Sequence, residues 1–200
     1  MAAPIEFYLD FSSPYSYLAS ESIEPLAARY GRSVDYKPML LGVAFKVSGM
    51  RPLPDVPLKG DYSRRDFERS ARFASVPFLL PEPFPISTVA PARALLWLSD
   101  TDPPRAGSFV HAALRAYFGA GRNISDVAVL ADVLRQVGVD PGAALQAIQQ
   151  TAVKERLREH VDSALARGVF GAPFMFVDGE PFWGHDRLPQ IERWLATGPF

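Results

Sequence analysis

Ser13, Pro14, Tyr15 and Ser16 stand where an apolar run over residues 5–11 gives way to a helical pattern, and the 200-residue chain contains no cysteine. Redox proteins that place Cys-x-x-Cys at such a turn use it to stabilise a thiolate, because the free backbone N–H groups and partial positive charge of a helix N-terminus favour the ionised sulfur. With hydroxyls in place of both sulfurs, the electrostatic trap survives and the redox chemistry is lost. A site of that kind must borrow its thiol, and the abundant cellular supplier is glutathione. The ordinary alternative is capping alone: Ser is a leading N-cap residue, and proline fits the first helical position, where its missing donor costs nothing.

Composition narrows the alternatives. Two hundred residues at 48% apolar content can bury a sizeable core without a disulfide or metal staple. The absence of cysteine excludes disulfides, thiol nucleophiles and zinc–thiolate sites carried by the chain itself, so any sulfur chemistry comes from a ligand. Twenty-one basic residues nearly cancel twenty-two acidic ones, which argues against a broad phosphate-binding surface and hence against nucleic acid as a partner. Residues 1–4 lack a basic stretch leading into an apolar one, and no apolar segment is long enough to span a bilayer, so the expected location is cytoplasmic. His111, His160 and His185 show no metal-ligand spacing and read as packing or surface residues.

The elements that must position the serine turn follow from periodicity. Residues 5–11 read as a strand, 14–30 as a helix that Gly31 stops and Pro25 kinks, and 33–39 as a second strand, together a βαβ unit. Residues 42–60 read as a long Gly/Pro-rich connection, 62–74 as a polar-faced helix, and 76–87 as a loop with four prolines. Helical patterns follow at 89–98, 108–118, 125–137 and 141–149, the last with Asp140-Pro141 as cap and first turn, and then at 152–167. Residues 168–177 read as a strand, Asp178-Gly179 as a hairpin turn into 181–183, and 186–195 as a closing helix. The ends are therefore α/β and the middle is helical: 1–41 with 152–200 form one discontinuous unit, and 42–151 is inserted in it.

That order resembles a thioredoxin-like fold interrupted by a helical domain, within the DsbA-like branch. More specifically, the chain resembles the family of 2-hydroxychromene-2-carboxylate isomerases and kappa-class glutathione transferases. The resemblance rests on four segments: residues 7–18 (FYLDFSSPYSYL), 57–62 (PLKGDY), 168–173 (GVFGAP) and 183–188 (WGHDRL). It implies glutathione as cofactor and Ser13 as the catalytic serine, whose hydroxyl donates to the glutathione sulfur. One charge-assisted hydrogen bond of about 1.5–3 kcal/mol corresponds to a thiol pKa lowered by about one to two units.

The resemblance also assigns the remaining contacts. Ala172-Pro173 falls where such folds carry a cis-proline beside the active turn, a geometry in which the Ala172 backbone pairs with the ligand like an added strand. His185 and Asp186 match the pair that holds the γ-glutamyl end, although His185 replaces a more usual Ser or Asn, and Asp186 alone also reads as an N-cap. Lys59 matches a lysine near the glycyl carboxylate, against the alternative of a solvated loop charge. Met50-Arg51 depart from the Asn-Lys often found at that place.

The implied activity is interconversion of 2-hydroxychromene-2-carboxylate and trans-o-hydroxybenzylidenepyruvate, a step in bacterial breakdown of aromatics. A thiolate adds to a conjugated C=C, permits rotation and leaves. The partner is a small aromatic carboxylate, met by Lys46 or an arginine among Arg64, Arg65, Arg69 and Arg72, with Trp183 or Tyr15 as pocket wall; the assembly implied is a homodimer. Two alternatives remain open: a kappa-like glutathione transferase, and a redox-inactive thioredoxin-like binding module.

Overall fold

The computed structural model describes residues 2–200. Its sheet has four strands in the order β2-β1-β3-β4, with β1 (Ile5–Leu9), β2 (Val34–Pro38), β3 (Phe174–Val177) and β4 (Glu180–Trp183). β1 and β2 run parallel, from Ile5 opposite Val34 to Leu9 opposite Pro38, joined by the crossover helix α1 (Pro14–Arg29). β3 lies antiparallel to β1 and to β4, with Asp178-Gly179 turning the hairpin. This is the thioredoxin-like α/β arrangement expected from the chain ends.

Alternation along β1 explains why both sheet faces are covered. Ile5, Phe7 and Leu9 point into one apolar cluster with Met175, Val177, Ile23 and Phe109, while Tyr8 points into another with Phe174, Phe176, Met39, Leu96 and Leu157. The first cluster is continuous with the middle of the chain: Phe11 meets Phe109 edge to face at 5.8 Å, and Tyr17 stacks on Phe118 at 5.7 Å. Replacing a fully buried ring such as Phe109 by Ala costs about 3–5 kcal/mol.

The middle region holds α2 (Leu41–Ser48), α3 (Lys59–Phe73), α4 (Val89–Thr101), α5 (Pro103–Leu114), α6 (Val127–Gln136), α7 (Pro141–Ala147) and the start of the return through α8 (Thr151–Ala166). α9 (Leu188–Thr197) closes the chain. No described helix is long and apolar enough to cross a membrane.

Several boundaries differ from the sequence expectation, each for a visible reason. Residues 42–60 are not a plain connection: α2 begins at Leu41, whose N–H is taken by the distant Asp10 carboxylate at 2.7 Å, and a short 3-10 turn follows at Leu53–Asp55. α3 starts at Lys59 rather than 62, because Leu58 turns the backbone into the left-handed region at φ 68° and Gly60 donates back to Val56. The strand expected from 168 begins only at Phe174, since the Gly168 and Val169 amides close the end of α8 on Leu165 and Ala164 and are unavailable to a ladder. β1 stops at Leu9 because Asp10 is drawn into the following turn. The helix expected at 108–118 begins at Pro103 and passes into a π-helical turn at Arg115–Gly119. Pro25 lies within α1 without ending it, and Asp140 caps α7 as its sequence suggests, accepting from Gly142 and Ala143.

Candidate active site

The site is built from the turn that links β1 to α1. Asp10 is buried, 3% exposed, and its carboxylate accepts from Ser12 N–H at 2.7 Å and Leu41 N–H at 2.7 Å. Burial pushes its pKa up, against the two amides and the nearby Thr88 side chain. The carboxylate thereby ties the turn to the start of α2. Ser12 Oγ in turn accepts from Ile86 N–H at 3.2 Å, which seats the proline-rich loop on the same turn.

Ser13 sits at the N-cap with φ −100° and ψ 112°, 4% exposed. Its Oγ accepts from Ser16 N–H at 3.1 Å and donates to the Ala172 carbonyl at 2.9 Å, across 159 residues of chain. The capping reading is therefore correct, at about 1 kcal/mol, and so is the contact with the second chain end. Ala172-Pro173 is a cis peptide. Around the cap, Pro14 has no N–H, Ser16 N–H is taken by Ser13, and Tyr17 N–H by the Ser13 carbonyl. Among the described residues, the Tyr15 and Ala172 amides have no protein acceptor. One hydroxyl and two backbone donors thus gather at the positive end of α1.

Pro173 carries the site onward: its carbonyl accepts from Gly184 N–H at 3.0 Å. Gly184 has φ 111°, and a Cβ there would lie 2.4 Å from Asp186 Oδ1, so only glycine fits this entry to the His185–Arg187 turn. Asp186 caps no helix. Its exposed carboxylate has Arg187 at 3.5 Å, and α9 begins without a side-chain cap. His185 lies flat on Tyr15, rings 4.6 Å apart and 7° from parallel. Burial holds its imidazole below the usual range, against the pull of Asp186 and Asp66.

Lys59 opens α3 with an exposed side chain that makes no hydrogen bond or ion pair among the described residues. It stands seven residues before Asp66, about 10 Å along the helix, and Asp66 accepts the Tyr15 hydroxyl at 2.5 Å. Of the other cations, Arg69 engages Asp66 and Arg72 reaches Glu68 at 3.6 Å, while Lys46, Arg64 and Arg65 stay exposed without an ion pair among the described residues. Trp183 is half exposed and leans over Gly171, where a Cβ would come within 2.5 Å of its Nε1; Phe170 packs on it at 4.8 Å.

The structure thus joins Ser13, Ala172 and Pro173 directly and brings His185 and Asp186 beside them through Gly184, leaving Lys59 on the outer end of α3. Sequence reasoning passed over Asp10, although an Asp three residues before a Ser-Pro pair can form an Asx-turn with the amide two residues on. It also missed the Tyr15–Asp66 bond, which spans 51 residues and leaves no local signature.

Three comparisons bear on this geometry. The family model for the DSBA-like thioredoxin domain matches residues 4–196. A 2-hydroxychromene-2-carboxylate isomerase of Sphingobium xenophagum is 35% identical over 98% of this chain and 99% of its own length. Glutathione S-transferase kappa 2 of Caenorhabditis elegans is 30% identical over 98% of this chain and 92% of its own. A solved 2-hydroxychromene-2-carboxylate isomerase superposes with TM-score 0.87 at 28% identity, covering 96% of this chain and 94% of that one.

Proposed function

Since the chain belongs to the DSBA-like thioredoxin family, in the branch of the 2-hydroxychromene-2-carboxylate isomerases and kappa-class glutathione transferases, we propose that it is a glutathione-dependent isomerase. On this reading it interconverts 2-hydroxychromene-2-carboxylate and trans-o-hydroxybenzylidenepyruvate. The observation that carries the proposal is the Ser13 hydroxyl poised between the α1 N-terminus and the Ala172 carbonyl in a chain without a thiol of its own.

The residues present suit three of the cofactor's four charged or reactive groups. Ser13 Oγ–H and the unpartnered Tyr15 N–H are donors for a sulfur anion. The uncapping carboxylate of Asp186 suits an ammonium, and the unpaired Lys59 suits a terminal carboxylate. The free Ala172 N–H, together with the second lone pair of its carbonyl, suits pairing with a peptide backbone.

When bound, glutathione would supply a thiolate that adds reversibly to a conjugated C=C and is regenerated once the bond has rotated. The chain's own work is electrostatic. Ser13 redirects its single proton from the Ala172 carbonyl to the sulfur, while its Oγ keeps the Ser16 amide and so holds the cap. The exchange replaces a neutral bond by a charge-assisted one, which favours the anion by about 1 kcal/mol or more. Arg64, Arg65 or Lys46 meets the substrate carboxylate, and Trp183 walls the aromatic ring.

The transferase reading is favoured by the kappa-class relative and differs in the fate of the sulfur. Titrating free thiol after many turnovers separates the two. A constant glutathione titre with isomerised product supports the proposal; loss of one thiol per product molecule overturns it in favour of transfer.

A further inference from the structure

Tyr15 is two residues beyond Ser13, and two segments distant in sequence, α3 and the His185–Arg187 turn, converge on its side chain. His185 lies parallel on one face at 4.6 Å, and Phe67 of α3 meets the ring edge to face at 5.1 Å. The hydroxyl donates to Asp66 Oδ2 at 2.5 Å. Asp66 uses its other oxygen for Arg69, whose Nη2 also donates to the Tyr62 hydroxyl at 3.0 Å. A serine or asparagine at this position could not stack in this way.

We propose that Tyr15 and Asp66 are positioning residues that lock α3 and the His185–Arg187 turn onto the catalytic helix, fixing the mutual spacing of Ser13, Asp186 and Lys59. This rests on the function proposed above, in which those three groups hold the sulfur, ammonium and carboxylate of glutathione. Neither Tyr15 Oη nor Asp66 touches the cofactor; they act through what they hold. The helix start that carries Lys59 has no side-chain cap and is held by backbone bonds from Lys59 N–H to Pro57 and from Gly60 N–H to Val56. Among the described residues, the one polar bond from α3 to α1 is the Tyr15–Asp66 contact.

The electrostatics keep the lock closed at neutral pH. Burial opposes ionisation of Asp66, but the Tyr15 hydroxyl and the Arg69 guanidinium outweigh it and hold the carboxyl below its usual range. Tyr15 is pushed above its usual range by burial and then by Asp66, so it remains the proton donor. A flexible tripeptide gains affinity from contacts held in advance at fixed spacing and loses it when the protein must order them on binding.

The test is glutathione binding by calorimetry and steady-state isomerisation for the wild-type protein, Tyr15→Phe, Asp66→Leu, Asp66→Asn and the double variant Tyr15→Phe/Asp66→Leu. Tyr15→Phe keeps the ring, its stack and its volume, so it decides the matter even if a change at Asp66 impairs folding. The expected result is a glutathione Kd and KM raised about tenfold in Tyr15→Phe and Asp66→Leu, with kcat at saturating glutathione within about twofold of wild type. Asp66→Asn, which keeps an acceptor oxygen, recovers most of the affinity, and the double variant is no worse than either single one. Unchanged affinity in Tyr15→Phe, or independent multiplying losses in the double variant, overturns the proposal. Failure of the wild-type protein to bind glutathione overturns the underlying functional reading, and is seen before any variant is compared.

Discussion

Ser13→Ala separates the helix cap that the structure shows from the proposed donor to a glutathione thiolate. For stability, the change removes the cap on Ser16 N–H and the bond to the Ala172 carbonyl. The first is worth about 0.5–2 kcal/mol and the second about 0.5–1.5. The variant should therefore unfold at lower denaturant with a loss of about 1–3 kcal/mol, short of what a typical domain holds in reserve. For chemistry, moving the Ser13 proton from the Ala172 carbonyl to the sulfur favours the anion by about 1 kcal/mol or more, so without that hydroxyl the bound thiol pKa should rise by about one unit. The assay is the ultraviolet absorbance of the thiolate of bound glutathione, titrated with pH in both proteins under saturation. Activity at neutral pH should fall roughly in proportion to the lost thiolate. A folded Ser13→Ala protein that binds glutathione with an unchanged thiol pKa would refute the reasoning, because Ser13 would then be only a cap.

Other perturbations probe the frame around that oxygen. Asp186→Asn keeps the shape of the turn and removes the charge for an ammonium; glutathione affinity should fall about fivefold at low salt, the scale of an exposed ion pair, with less difference at high salt by calorimetry. Gly60→Ala places a Cβ 2.4 Å from the Pro54 carbonyl oxygen, a backbone atom with little room to yield; chemical denaturation should show a loss of about 1–3 kcal/mol, and none would mean that the start of α3 is soft. His160, stacked on Tyr8, is pulled down to about 4 from 6.5 by burial and then by Lys37 and Arg156. Between those pH values the unfolded chain binds a proton that the folded one refuses, so stability falls as pH drops through that window. Thermal unfolding of His160→Phe should show a flatter acid limb than wild type.

What the sequence made legible was local. Ser13 and Pro14 follow capping rules that act within one helical turn, and Asp140-Pro141 obeys the same rules at α7. The β1–α1–β2 unit and the Asp178-Gly179 hairpin follow from alternation and turn chemistry, which placed both chain ends in one sheet. The start of α2 was hidden because its first amide is satisfied by Asp10, 31 residues away, and Gly42 in its first turn argues locally against a helix. Residues 168–173 look like strand because their side chains are apolar, yet their amides serve the end of α8. In the site, the meeting of Ser13 with Ala172 was expected from the family resemblance, whereas the stacking of His185 on Tyr15 and the Asp66 bond depend on how α3 docks. No periodicity encodes that docking.

The central claim is that a thiol-free chain performs thiolate chemistry with a borrowed sulfur. Its most direct test is the ultraviolet-monitored conversion of 2-hydroxychromene-2-carboxylate by the purified protein, with and without glutathione. The account predicts rapid conversion that requires glutathione, saturates with it and fails with S-methylglutathione in its place. Equal conversion without any thiol, or none with glutathione present, would contradict it.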